Sequence, residues 1–165
     1  MTLTPTTFAI NRQAEDGIHK LTEVFRGLEH SPAFMKLLGT EKEVMKFIQS
    51  SHVWVTSGSG YMYVDPSDGY VIISRKYLQE GDPESLYLDI IHELVHVKQW
   101  HEGKDLYDRQ YDYIERPTEL EAYALVVVEA KRIGMAEKDI VDYLDVPWIS
   151  RNELQALVKR LGVED

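Results

Sequence analysis

The sequence predicts an α+β fold in one small domain, residues 1–165, with N-terminal helices, a short antiparallel or mixed sheet, a long helix bearing a histidine pair, and C-terminal helices. Three observations carry that prediction. Apolar residues recur at helical spacing towards both ends of the chain. From His52 to Ile73 the residues are instead β-branched and aromatic, broken by glycine. A length of 165 residues with 44% hydrophobic content suits one core and needs no second domain.

The elements follow in order. Ile10, Ala14, Ile18, Leu21, Val24, Phe25 and Leu28 predict an amphipathic helix from about Thr7 to Leu28, with His19 and His30 as surface histidines. Ser31-Pro32 starts a short helix that Gly39 stops, and Thr40 to Glu43 is a capping box opening another through Ile48. His52–Thr56, Tyr61–Val64 and Tyr70–Ile73 are strand candidates in a small meander. Ser57 to Gly60 is its first turn, and Asp65 to Gly69 suits an antiparallel hairpin. After the histidine helix, residues 104–116 read as a loop or short irregular helix. A strong helix from Pro117 to Ile133, another from Glu137 to Leu144, and a last one capped by Ser150 and Glu153 complete the chain.

The chemistry concentrates in the run from Ser85 to Trp100. Asp82 is placed as N-cap and Pro83 as first helical residue, while Leu86, Ile90, Leu94 and Val97 give the helix a buried side. Within it, His92-Glu93-Leu94-Val95-His96 puts two imidazoles four residues apart on one helix face, the spacing at which both bind one metal ion. Glu93, beside the first histidine, is placed to contact a water rather than the metal. Asp89, three positions earlier, either hydrogen-bonds within the site or is a solvated helix residue. The chain has no cysteine, so a metal must be held by histidine and carboxylate.

The His-Glu-x-x-His pattern, with strands before it and helices after it, resembles the zincin metallopeptidases. The resemblance implies a zincin-like domain with a catalytic Zn2+, Glu93 as general base, and hydrolysis of peptide bonds. It also implies that an outer strand beside the metal binds extended substrate by backbone pairing, and Tyr61–Val64 is the candidate.

A catalytic zinc takes a third protein ligand. His101, placed where metzincins approximately have theirs, is five residues after His96 and points about 180° away from His92 on a continuing helix. Asp105 and Asp108 carry a faint likeness to the aspartate of other zincins. The better match is to gluzincins, whose third ligand is a glutamate on the next helix, written Glu-x-Glu-Ala-Asp or Glu-x-Glu-Ala-Asn in several intracellular families. This chain has Glu119-Leu-Glu121-Ala-Tyr123. Thr118 and Glu121 read as a capping box, which leaves Glu119 free, and the resemblance also selects Glu119 as the ligand beside His92 and His96. Tyr123 departs from the pattern, since the families have Asp or Asn there to orient a ligand histidine.

Charge narrows the partners. A net charge of −10 argues against nucleic acid, including duplex DNA at the two C-terminal helices, whose basic residues are few. Seven of the ten excess negative charges lie between Asp82 and Glu121, where eleven acids face only Lys98, Lys104, Arg109 and Arg116. That excess is either a solvated surface or a cleft favouring cations and basic peptide segments. The expected partner is a peptide or protein substrate, and the oxyanion donor is one of Tyr107, Tyr111, Tyr113 and His101. No membrane span or signal-peptide pattern is present, so cytoplasmic residence is expected, although release without a cleaved signal fits equally. A zincin-fold binding or regulatory protein with little hydrolysis is the alternative function, and the oligomeric state is open.

Overall fold

The structure, a computed structural model, describes residues 8–58 and 60–164. The lead Met1–Pro5, the expected helix start at Thr7 and Ser59 in the first turn lie outside them. Among the described residues the chain is mixed α+β, with eight α-helices, a two-stranded sheet and a four-stranded sheet. No helix there is long and apolar enough to cross a membrane.

Over the described part of residues 7–28, residues 8–28, the expected helix does not form. Its place is taken by β1 (Ala9–Ile10), β2 (Gly17–Lys20), the single turn α1 (Leu21–Val24) and β3 (Phe25–Arg26). The Asn11 side chain accepts the Gln13 N–H at 3.2 Å, an Asx turn that competes with helix. Gly17 then adopts φ +127°, a region that suits glycine, and β-branched Ile18 continues as strand. The periodic apolar residues are still used, since Leu21, Val24, Phe25 and Leu28 are all fully buried.

Two helices follow where expected, α2 (Pro32–Leu38) and α3 (Glu41–Ser50), with Thr40 Oγ1 accepting the Glu43 N–H at 3.2 Å. Next come β4 (His52–Thr56), β5 (Met62–Val64) and β6 (Val71–Ser74). They are no meander. The sheet order is β2-β4-β6-β5, with β4 and β6 parallel, β5 antiparallel to β6, and β2 antiparallel to β4. The reason lies in the side chains. All four residues of β6 are buried, which suits an inner strand of a sheet covered on both faces, whereas β5 alternates and tolerates an edge. Residues 65–69 do form the expected hairpin connection, with the Gly69 N–H donating to Asp65 O at 2.8 Å.

The helix α4 (Arg75–Glu80) leads into α5 (Pro83–His101), which Asp82 caps by accepting the Ser85 N–H at 3.1 Å. Leu86, Ile90, Ile91, Leu94 and Val95 are fully buried. Each contributes roughly 1.5–3 kcal/mol, so the motif helix is held by the core rather than by its ends. Beyond α5, residues 104–116 are irregular apart from a short 3-10 turn at Tyr113–Glu115. The C-terminal part comprises α6 (Pro117–Arg132), α7 (Glu137–Leu144) and α8 (Arg151–Arg160), the last opened by the expected Ser150–Glu153 capping box. Packing of α6 on α5, and of β5 beside α5, positions everything described next.

Candidate metal centre

His92 and His96 lie one turn apart on α5, both 6% exposed, with their Nε2 atoms 3.1 Å from each other. From α6, Glu119, equally buried, brings Oε1 to 3.2 Å from His92 Nε2 and 2.5 Å from His96 Nε2. Three ligand atoms thus converge from two packed helices. Bonds of about 2.0–2.1 Å at tetrahedral angles would set ligand atoms about 3.3 Å apart. Two of the three edges are within a few tenths of an ångström of that spacing, so the residues fit a zinc ion. Glu93 is also near, its ligand atom within 4.8 Å of both histidines. Glu119 contacts both imidazoles directly, whereas Glu93 stands beside them.

Electrostatics follows from this crowding. Burial pushes the Glu93 carboxyl up to about 7, assisted by the charges of Glu119 and Asp89 and opposed by His96 and His92. For His96, burial works downward, but the Glu119 hydrogen bond and the Glu93 and Glu119 charges outweigh it and raise the imidazole to about 9. Glu119 is buried too, yet its contacts with His92 and His96 hold it well below the usual carboxylate range.

The histidines are supported unequally. His96 Nδ1 lies 2.7 Å from Gln99 Oε1, while Gln99 Nε2 donates to the Thr118 carbonyl at 3.0 Å and to Glu121 at 2.8 Å. Both of those oxygens only accept, which fixes the amide orientation and requires the hydrogen of His96 on Nδ1. His96 Nε2 therefore faces Glu119 with its lone pair when the ring is neutral. His92 Nδ1, by contrast, is buried without a hydrogen-bond partner among the described residues. Tyr123, where an acid or amide was expected, packs its ring edge-on against His92 at 4.5 Å and exchanges a 2.6 Å hydrogen bond with the Tyr113 hydroxyl.

The capping box read at Thr118 and Glu121 is not made. Pro117 takes the first helical position, so Arg116 is the N-cap, and the Thr118 hydroxyl donates to Leu106 O at 3.4 Å. Glu121 is exposed and turned to Gln99 instead. Asp105 and Asp108 each accept a backbone N–H two residues on, at 3.1 and 2.9 Å, and are loop-forming residues away from the triad. His101 is exposed and meets Trp100 edge to face at 5.0 Å.

A cleft of about 290 Å³ opens beside His92 and Glu93. Tyr61 and Met62 of the β5 edge form one wall, and Tyr113 and Tyr123 form another. The segment Asp145–Trp148 between α7 and α8 closes a third side. Of the four oxyanion candidates, Tyr113 is brought to this cleft; the Tyr107 hydroxyl is committed to Val64 O at 2.6 Å, and Tyr111 is exposed. Gln99 and the α7–α8 segment were missed by sequence reasoning. Gln99 had a usable signal, since it lies three and seven residues after His96 and His92 and so shares their helix face.

Comparison with protein-family models, curated proteins and solved structures gives no match for this chain.

Proposed function

We propose that the chain is a zinc-dependent metallopeptidase of the zincin type. The observation that carries the reading is the convergence of His92 Nε2, His96 Nε2 and Glu119 Oε1 at 2.5–3.2 Å, with the carboxyl of Glu93 beside them. Zinc held by His92, His96 and Glu119 would supply a Lewis acid that polarises a carbonyl and lowers the pKa of water.

The chain's own groups supply the rest. Glu93, raised to about 7, is matched to taking a proton near neutral pH and returning it to a leaving amine. Tyr113 and Tyr123 share one hydrogen bond, so the hydroxyl that accepts it keeps its own hydrogen for an oxyanion at the cleft wall. β5 offers a place for an extended peptide. Tyr61 O and Asp65 N pair with Ser74 and Tyr70, so the alternation turns the N–H and C=O of Met62 away from β6 towards the free edge. The Val64 carbonyl, next on that edge, is taken by Tyr107, which marks where added pairing would stop.

A second reading is a zincin-type binding protein without hydrolysis, and the unpartnered Nδ1 of His92 favours it, because a ligand histidine ordinarily has an acceptor there. Glu93→Gln separates the two. The peptidase reading expects near-stoichiometric zinc in the wild type and in this variant, cleavage of a mixed peptide library by the wild type, and none by the variant. Zinc-loaded wild type that cleaves no peptide, or a Glu93→Gln variant that cleaves as before, would overturn it.

A further inference from the structure

The proposed chemistry leaves the carboxylate of Asp89 in the cleft without a task. It stands one turn before His92 on α5 and lines the cavity. Its two oxygens accept hydrogen bonds from Tyr77 on α4 and from Tyr143 on α7, the latter at 2.6 Å. Neither tyrosine carries a positive charge, and among the described residues Asp89 has no ion pair with a lysine, arginine or histidine. Burial accordingly raises its pKa, opposed by those two hydrogen bonds and by His92. An ionised carboxylate offers about four acceptor positions, so two hydrogen bonds leave one on each oxygen.

The walls are aromatic. Tyr61 meets Tyr77 edge to face at 5.2 Å, and Tyr113 meets Trp148 in the same way at 5.7 Å, all four lining the same cavity. The other acids of the lining are Glu93 and Asp145, and among the described residues no lysine or arginine lines it. Away from His92, the cavity therefore pairs π faces with negative charge.

We propose that this part of the cleft is a pocket for an arginine side chain, whose guanidinium lies among the tyrosine and tryptophan rings and forms paired hydrogen bonds to Asp89. Arginine fits better than lysine on two grounds. Its planar fork matches two adjacent carboxylate oxygens, and it stacks on aromatic faces with less desolvation than an ammonium. As a statement about substrate the proposal rests on the peptidase reading, but its binding test does not require hydrolysis.

A purely structural role for Asp89, tying α4, α5 and α7 together, makes a different prediction. Asparagine keeps an acceptor and adds a donor for the tyrosine oxygens, so Asp89→Asn preserves the tie while removing the charge. The test is titration of zinc-loaded protein with Nα-acetyl-arginine N-methylamide, the citrulline analogue and the lysine analogue, followed by the Trp148 indole resonance. Saturable binding of the arginine probe is expected, with citrulline and lysine at least about tenfold weaker. Asp89→Asn should bring arginine down to the citrulline level with zinc content unchanged. Equal binding of the three probes, or full affinity in Asp89→Asn, would overturn the pocket. Should Asp89→Asn fail to fold, Trp148→Ala at an exposed position takes its place and is expected to weaken the arginine probe; unchanged binding there counts against the proposal. Peptide cleavage indifferent to arginine would sink the pocket and leave the peptidase standing, whereas arginine binding with no cleavage of any peptide would do the reverse.

Discussion

Replacing Gln99 by methionine probes the support of the site without touching any of its proposed ligands. Methionine keeps the length and most of the volume of glutamine, so packing changes little. What disappears is the acceptor 2.7 Å from His96 Nδ1, together with the amide bonds to Thr118 O at 3.0 Å and Glu121 at 2.8 Å. Glu121 is exposed and finds water, and the Thr118 carbonyl lies in the first turn of α6, so the lasting loss is the buried His96 N–H. An unsatisfied buried donor costs about 1–3 kcal/mol of folding stability. With its ring no longer oriented, His96 should bind metal about 10–100-fold more weakly. That range corresponds to about 1.4–2.7 kcal/mol. The assay is competition for zinc against a chromogenic chelator, with urea unfolding of the metal-free protein alongside. Glu121→Gln, which alters only the exposed partner of Gln99, is the control and should bind zinc nearly as the wild type does. A Gln99→Met protein with zinc affinity within about twofold of wild type would refute the argument that Gln99 orients the ligand.

Metal-free protein should lose stability as pH rises. His96 is raised from 6.5 to about 9, so its contribution is complete below 6.5 and lost as pH passes through about 9; Glu93, raised from 4.5 to about 7, acts in the same direction over a lower window. Urea midpoints measured in chelator at pH 6 and 9.5 check this, and a flat or rising profile contradicts it. Gly69→Ala should cost about 2–4 kcal/mol, because φ is +75° and a Cβ would stand 2.5 Å from the Trp100 ring. Thermal unfolding indistinguishable from wild type would show that the hairpin does not rest on α5 in this way. Met62→Pro removes the outward N–H of an edge strand, where proline is tolerated. It should lower peptide cleavage about tenfold or more with zinc content intact, and full activity would exclude backbone pairing at this position.

How legible the fold was depended on whether local pattern and tertiary context agreed. Residues 41–50, 83–101 and 151–160 carry both helical periodicity and a capping residue, and each forms a helix close to where it was placed. Residues 7–28 have the periodicity alone, with Gly17 in the middle and no cap. There the backbone followed glycine and β-branching into strands, and the same apolar side chains reached the core by another route. The strand segments were likewise visible, but their order was not. Nothing local to residues 52–73 states that the last strand must insert between the other two; the clue was the burial demanded by Val-Ile-Ile on both faces, against the alternation of Met-Tyr-Val.

The site shows how a sequence argument can point to a residue that the structure places beside both histidines, for a reason the structure does not support. The capping box that would leave Glu119 rather than Glu121 free does not exist, although the resemblance selects Glu119 as well. What separates the two is the register of α6. Ala122, Tyr123, Val126, Val127 and Ala130 form its buried stripe, and Glu119 lies on the continuation of that stripe one turn earlier, whereas Glu121 lies outside it. A glutamate on a core-facing stripe is costly unless something compensates its charge. The compensation comes from α5, where the two histidines occupy the facing turn, so the placement of Glu119 and of His92 and His96 is one packing fact seen from two helices. Tyr123 belongs to the same stripe. Its ring packs edge-on against His92, whose Nδ1 has no hydrogen-bond partner among the described residues, so the α6 face that carries the proposed third ligand is also where the two histidines differ.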